Sequence, residues 1–169
     1  MSEGPKAGRD SRPEDTHSSR DAGGSHDIQP DRNGDGRPEG DTYALYRRGL
    51  DMLSRGSPAA AVQLLERAAE AEPQSRSILE ALARAQFDAG SYADAAGSFR
   101  RIVEASPSDD YAQFGLGLSL ARIGDPGAAA EHLALAAAMR PNLRHYTDAL
   151  RSVRATLSAR SELRDGTGS

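Results

Sequence analysis

The 169-residue sequence contains no cysteine and no tryptophan, and only five tyrosines and three phenylalanines. Without cysteine there are no disulfides, no thiol nucleophile and no thiolate metal site, and the chain suits a reducing compartment. Long apolar runs are missing too. A secretory signal needs an apolar core of about 7–15 residues, and the opening stretch from Met1 to Asp21 has nothing of that kind. The longest uninterrupted helical stretch, Gly127 to Met139, carries Glu131 and His132. It is also shorter than the about 20 apolar residues a bilayer span requires. The expectation is a soluble, cytoplasmic protein. A net charge of -4, from 21 Lys and Arg against 25 Asp and Glu, gives no general attraction to phosphate backbones or anionic lipid. Neither nucleic acid nor a membrane is therefore expected as a partner.

Apolar side chains are unevenly spread. Residues 1–40 hold seven Gly and four Pro, but only Met1, Ala7, Ala22 and Ile28 are apolar. Six basic and nine acidic residues there account for -3 of the net charge. So little apolar surface does not offset the entropy of ordering a backbone, so 1–40 is expected to be a disordered polar tail. From Asp41 onward the chain is rich in Ala, Leu and Arg, all good helix formers. The end, 165–169, reads as a second short disordered piece, which leaves 41–164 as the folded part.

That part repeats itself at one constant interval. Gly56, Gly90 and Gly124 are spaced 34 apart, as are Ala61, Ala95 and Ala129, and Pro73, Pro107 and Pro141. Each unit reads as two helices. In the third, Asp110–Arg122 and Pro126–Met139 flank Gly124-Asp125-Pro126, in which Gly permits the turn, Asp caps the next helix and Pro starts it. Gly56-Ser57-Pro58 plays the same part in the first unit. Gly90-Ser91-Tyr92 does so in the second, with Asp94 placed for a capping box with Ser91. Pro73, Pro107 and Pro141 end the second helices because proline cannot continue the ladder. Asp41, Ser75 and Asp109 stand as candidate caps of the first helices. Apolar residues recur at helical spacing in the second helices: Ala61, Leu64, Leu65 and Ala68, then Ala95, Phe99, Ile102 and Val103. One helix pair cannot bury such faces, so the pairs must stack. Gly49, Ala83 and Gly117 hold one equivalent small position in the first helices, where neighbouring helices can approach closely.

These features resemble the tetratricopeptide-repeat family, whose 34-residue unit carries a small residue, an Ala, an aromatic or Leu, and a Pro in that order. The resemblance covers about 42–143. It departs in the first helices, where the family's Trp is Leu45, Leu79 and Gln113 and its Tyr is Met52, Gln86 and Leu120. The alanine- and arginine-rich style is also similar to small repeat proteins of actinobacteria. The fold implied is all-α: a right-handed α-solenoid of three helix-turn-helix repeats, 42–75, 76–109 and 110–143, closed by a capping helix over 144–161. In that last helix Tyr146, Leu150, Val153 and Leu157 form an apolar stripe, and Arg144, Arg151, Arg154 and Arg160 lie largely elsewhere around it.

The resemblance also implies where a ligand sits, because first helices line the family's concave face. Carried over by position, the first unit offers Tyr43, Tyr46, Leu50 and Leu53, the second Glu80, Arg84 and Phe87, and the third Tyr111, Phe114, Leu118 and Arg122. Five of the chain's eight Tyr and Phe residues are on that face, as in interfaces dominated by aromatic and Arg anchors. A guest helix or extended peptide with apolar anchors is the expected partner. Family members that grip acidic chaperone tails use a clamp of Lys, Asn and Arg. The equivalent positions here are Tyr46, Leu50, Ala81, Tyr111 and Gly115, which carry no cation, so the resemblance implies no chaperone-tail adaptor.

Catalytic and cofactor chemistry finds no foothold in the residues. Gly117-Leu-Ser119-Leu-Ala121 falls one glycine short of a nucleophile elbow and lies mid-helix in the repeat frame. Gly115 and Gly117 lack the third glycine and the preceding strand of a dinucleotide site. His17, His26, His132 and His145 have no metal-ligand spacing. Asp31-Arg-Asn33-Gly-Asp35-Gly36 matches the first half of a calcium loop. Its twelfth position, however, is Thr42 rather than Glu, and Pro38 breaks its middle, so a turn-prone tail is favoured over calcium binding through 31–42. The expectation is an interaction scaffold with no catalytic residue, no cofactor and no metal. The alternative is a homo-oligomer that buries the same apolar face.

Overall fold

A computed structural model describes residues 40–166, which form seven helices and no strand. In chain order they are α1 (Gly40–Ser54), α2 (Pro58–Ala71), α3 (Arg76–Asp88), α4 (Tyr92–Ala105), α5 (Asp110–Arg122), α6 (Pro126–Met139) and α7 (Arg144–Gly166). Both helices expected in the third unit begin and end where the turn residues place them.

The turns show why. Gly56, Gly90 and Gly124 have φ of 71°, 82° and 91°, a left-handed conformation that side-chain-bearing residues avoid. At each, the next residue's N–H reaches back five positions: Ser57 to the Met52 carbonyl, Ser91 to Gln86 and Asp125 to Leu120, at 2.9, 2.8 and 3.0 Å. The glycine N–H itself bonds three positions back, to Leu53, Phe87 and Ala121. This is the Schellman closure of a helix, and it satisfies carbonyls that the helix end leaves open. The second helices stop differently. Glu72, Ser106 and Arg140 leave the helix in extended conformations. Each carbonyl then accepts from the residue three further on, across a β-turn with Pro at its second position.

Two helix starts are closed by a side chain. Asp109 Oδ1 accepts from Ala112 N at 3.0 Å and Asp125 Oδ1 from Ala128 N at 3.1 Å. Ser57, Ser75 and Ser91 make no cap hydrogen bond, so the Ser91–Asp94 capping box does not form. Ser75 Oγ faces Ser77 Oγ at 3.3 Å. Asp41 is not a cap either, because α1 already begins at Gly40 and holds Asp41 in its first turn.

The small positions are where helices meet. A Cβ added at Gly49 would lie 2.6 Å from Leu65 Cγ, and one at Gly117 would lie 2.7 Å from Leu133 Cγ. Ala83, the equivalent residue of the middle repeat, is fully buried. Gly115 sits directly against the Phe99 ring. The two polar departures from the family pattern, Gln86 and Gln113, are accommodated by hydrogen bonds. Buried Gln86 accepts from Ser98 Oγ at 2.7 Å. Buried Gln113 donates to the Pro107 carbonyl at 2.9 Å and meets His132 Nδ1 at 2.7 Å.

Each helix packs on the next, and α1, α3, α5 and α7 also touch in series. No such series joins α2, α4 and α6. A stack whose first helices meet while its second helices splay apart is curved, with the first helices on the inside. The apolar core runs along this stack. Ile78, Ala81, Leu82 and Ala85 of α3 pack with α2, while Leu79 and Ala83 belong to the cluster that continues through α4, α5 and α6.

Helix α7 runs beyond the expected end at 161 and takes in Asp165 and Gly166. Its place for a turn glycine, one repeat length after Gly124, holds Ser158. With no left-handed residue the helix continues, and Arg160 Nη1 reaches the Gly124 carbonyl at 3.4 Å. Tyr146 and Val153 of the apolar stripe are buried, and Leu150 and Leu157 are half-buried. The calcium-like segment and the tail 1–39 lie outside the described residues; Gly40, Asp41 and Thr42 open α1.

Candidate functional site

Two hollows lie along the inner helices. The larger, about 310 Å³, is walled by Tyr46, Leu50 and Leu53 of α1, Ser77, Glu80, Ala81 and Arg84 of α3, and Tyr111 of α5. The smaller, about 130 Å³, is walled by Arg84, Phe87, Asp88, Phe99, Tyr111, Phe114, Gly115 and Leu118. Arg84 and Tyr111 belong to both, so the hollows adjoin.

They are one cavity built twice. Moving one repeat length along the chain carries Leu50, Leu53, Ser77, Glu80, Ala81 and Arg84 onto Arg84, Phe87, Tyr111, Phe114, Gly115 and Leu118. The geometry is kept while the chemistry changes: Glu80 becomes Phe114, and Arg84 becomes Leu118. Ala81 and Gly115 leave room in equivalent places because a longer side chain there would fill the hollow. Ser77, Asp88 and Phe99 were not among the residues expected on this face, and Ala81 and Gly115 were named only as the places of a clamp. Ala81 and Gly115 carried a readable signal, being small and one repeat apart.

Of the eleven expected residues, nine line a hollow. Tyr43 is 49% exposed and lines neither. Arg122 lies to the side, its guanidinium 5.9 Å from the Phe87 ring centre and 5.4 Å from that of Tyr92, with Nη1 at 3.4 Å from Tyr92 Oη. Several rings are partly occupied by structure. Phe87 meets Tyr92 edge-on at 5.2 Å, Tyr111 meets Phe99 at 6.0 Å, and Phe114 stacks on Tyr146 at 4.3 Å. Tyr146 in turn donates to Asp110 Oδ2 at 3.0 Å. Burial first, and then that hydrogen bond, push its phenol well above the ordinary range. These contacts hold the walls in place, and each ring shows the hollow only what its neighbours leave uncovered.

Charges in the hollows are not evenly balanced. Arg76, at the start of α3, donates to the Asp109 carboxylate at 2.6 and 2.8 Å, and the Asp109 side chain is only 4% exposed. Glu80 meets the same guanidinium only at 3.8 Å. Its carboxyl is pushed above the usual range, chiefly by burial; Arg76 works against that and Asp109 adds to it. Arg84 stands 3.7 Å from Asp88. Burial likewise raises the Tyr111 phenol.

Nothing in this arrangement brings nucleophile, base and orienting group together. Ser119 is fully buried in α5 and donates to the Gly115 carbonyl at 2.8 Å. Among the described residues no three of His, Cys, Asp and Glu converge on a metal site, and no helix is long and apolar enough to cross a membrane.

Residues 46–110, from α1 to the start of α5, match the family model described as Tetratricopeptide repeat. Over that stretch the sequence is similar to tetratricopeptide repeats. The chain's fold is also that of solved tetratricopeptide-repeat domains. The first such domain of Spaghetti (RPAP3), bound to the HSP90 peptide SRMEEVD, has 19% identity and a TM-score of 0.65, over 69% of this chain and 93% of that one. The Sgt2 domain from Aspergillus fumigatus has 18% identity and a TM-score of 0.67, over 76% and 86%. MamA from Desulfovibrio magneticus has 19% identity and a TM-score of 0.61, over 76% and 78%. At such identities the likeness shows the fold alone. The sequence matches no curated protein. Tetratricopeptide repeats are protein-interaction modules, and the seven described helices have that architecture.

Proposed function

We propose that this chain is a non-enzymatic interaction scaffold, which holds a segment of a partner protein along α1, α3 and α5. The working unit is the three repeats, 42–75, 76–109 and 110–143, closed by the helix from 144, and a cysteine-free sequence suits work in the cytoplasm. The observation that carries the reading is the pair of repeat-related hollows on the inner face, walled by Tyr46, Leu50, Leu53, Phe87, Tyr111, Phe114 and Leu118. Adjoining hollows with apolar and aromatic walls beside a few charges suit successive anchors of one extended or helical guest. The guest is not an acidic tail such as the peptide on the RPAP3 domain. The places of a carboxylate clamp hold Tyr46, Leu50, Ala81, Tyr111 and Gly115, and the hollows keep a carboxylate of their own.

Selection from a displayed peptide library tests this. Selected peptides should carry apolar anchors, and Tyr46→Ala with Leu118→Ala should weaken their binding at least about tenfold, the loss of one or two anchors, with helicity unchanged. Unchanged binding removes the site from this face. Light scattering over a concentration series tests the homo-oligomer: a dimer that the same substitutions dissociate would assign the face to a second copy instead.

A further inference from the structure

The two hollows share a shape and Arg84 but place their carboxylates differently, Glu80 in the larger and Asp88, which faces Arg84, in the smaller, and the difference gives the face a direction. Glu80 in the larger hollow is 42% exposed at its side chain and has apolar and tyrosyl neighbours; among the described residues the one cation within 4 Å of it, Arg76, is already bound twice to Asp109. Arg84, the cation that lines that hollow, is 62% exposed and turns to Asp88 at 3.7 Å. One repeat on, the place of Glu80 is taken by Phe114, and no carboxylate occupies it.

We propose that the site reads a two-part segment in one orientation: an Arg or Lys side chain enters the larger hollow and pairs with Glu80, and an apolar side chain enters the smaller hollow against Phe114 and Leu118. This rests on the scaffold reading above and specifies its guest. A carboxylate partly withdrawn from water, and under-neutralised by its own fold, gains from a cation that a guest brings. Burial is the chief cause that pushes the Glu80 carboxyl up, in line with its place in the hollow wall. Tyr46 and Tyr111 line the same hollow and offer ring faces to a guanidinium or ammonium. The opposite orientation would leave Glu80 beside an apolar group and set the guest's cation against Phe114 and Leu118, in a hollow whose carboxylate, Asp88, already faces Arg84 at 3.7 Å. Packed helices lie roughly 8–10 Å apart, so in a guest of polyproline II conformation, with three residues per turn and about 3.1 Å per residue, the two side chains should be about three residues apart on one face.

Peptides selected from a displayed library should share one basic and one apolar residue at that spacing and in a constant order. For such a peptide, Glu80→Gln should weaken binding about tenfold, the loss of one charge-assisted pair. It should also flatten the salt dependence that the wild type shows. Glu80→Lys should select peptides with an acidic residue in place of the basic one. Overturning results are equally distinct. If selected peptides lose binding with Tyr46→Ala and Leu118→Ala but show no basic residue, and Glu80→Gln binds them as well as wild type does, the charge reading falls and the scaffold reading stands. If no selected peptide responds to Tyr46→Ala and Leu118→Ala, both fall.

Discussion

Helices α3 and α5 hold the same place in their repeats as α1 and α7, yet they are buried very differently. Seven residues of α3 and seven of α5 are buried, against Gly49 alone in α1 and Tyr146 with Val153 in α7. Composition does not explain this, since α1 brings Leu45, Leu50, Met52 and Leu53, all only half-buried. The difference is one of neighbours. An inner helix has a repeat on each side, an end helix has one, and stability in a solenoid is the sum of such nearest-neighbour interfaces. The hollows follow the same rule. They open where an inner helix faces its neighbour across a small residue, and so they belong to the interfaces between repeats.

The sharpest way to break this comparison is at Phe99. Its ring, 2% exposed, reaches from α4 against Gly115 of α5 and meets Tyr111 edge-on. Phe99→Ala should cost about 3–5 kcal/mol, as for other buried phenylalanines. Leu157→Ala, on the half-buried far part of α7, should cost less than about 1 kcal/mol. Urea unfolding of both variants measures the gap. Equal losses would mean that the ends contribute as much to stability as the middle.

Two glycines in adjacent helices sharpen it further, because they should shift stability in opposite directions. In α5, a Cβ at Gly115 would overlap the Phe99 ring. Overpacking of this kind costs about 1–3 kcal/mol, which outweighs the better helix propensity of alanine. In α4, a Cβ at Gly97 would meet nothing within 4 Å. Gly97→Ala should therefore stabilise by about 0.5–1 kcal/mol through the backbone alone. Thermal midpoints moving in the same direction would contradict the close approach at Gly115.

Much of this architecture was legible in the residues, and the reason is physical. A left-handed φ at Gly56, Gly90 and Gly124 and the missing N–H of Pro73, Pro107 and Pro141 are backbone constraints, so their spacing marks helix ends wherever it occurs. The caps were less legible. Ser and Asp both suit the position, but only Asp109 and Asp125 close the hydrogen bond. The hollows were legible on one wall only. Tyr46, Glu80 and Phe114 follow from the repeat frame, whereas Phe99 reaches the second hollow from α4 because Gly115 makes room for it. That is a fact about two helices and not about either alone. Which rings remain open to a guest depends on partners such as Tyr92 and Tyr146, which no periodicity in one helix predicts.

A polar contact at equivalent junctions provides the finest test of the inner repeats. Ser98 and His132 are one repeat apart in α4 and α6, and each bonds a buried glutamine of the paired first helix, Gln86 or Gln113. Only the second junction titrates. Burial lowers the His132 pKa below its ordinary 6.5, with Arg100 assisting and Glu131 opposing. Between the folded and unfolded values the unfolded chain binds more protons, so stability rises with pH across that window. Neutral His132 thus gives its full contribution above 6.5, and that contribution is lost as pH falls from there through the lower folded value. Comparing wild type with His132→Gln between about pH 7.5 and about pH 5.5 isolates the effect, since other groups titrate equally in both. The wild type should lose thermal midpoint relative to the variant as pH falls. A constant difference would show that protonation at this junction is not coupled to folding, and that the two junctions are energetically alike.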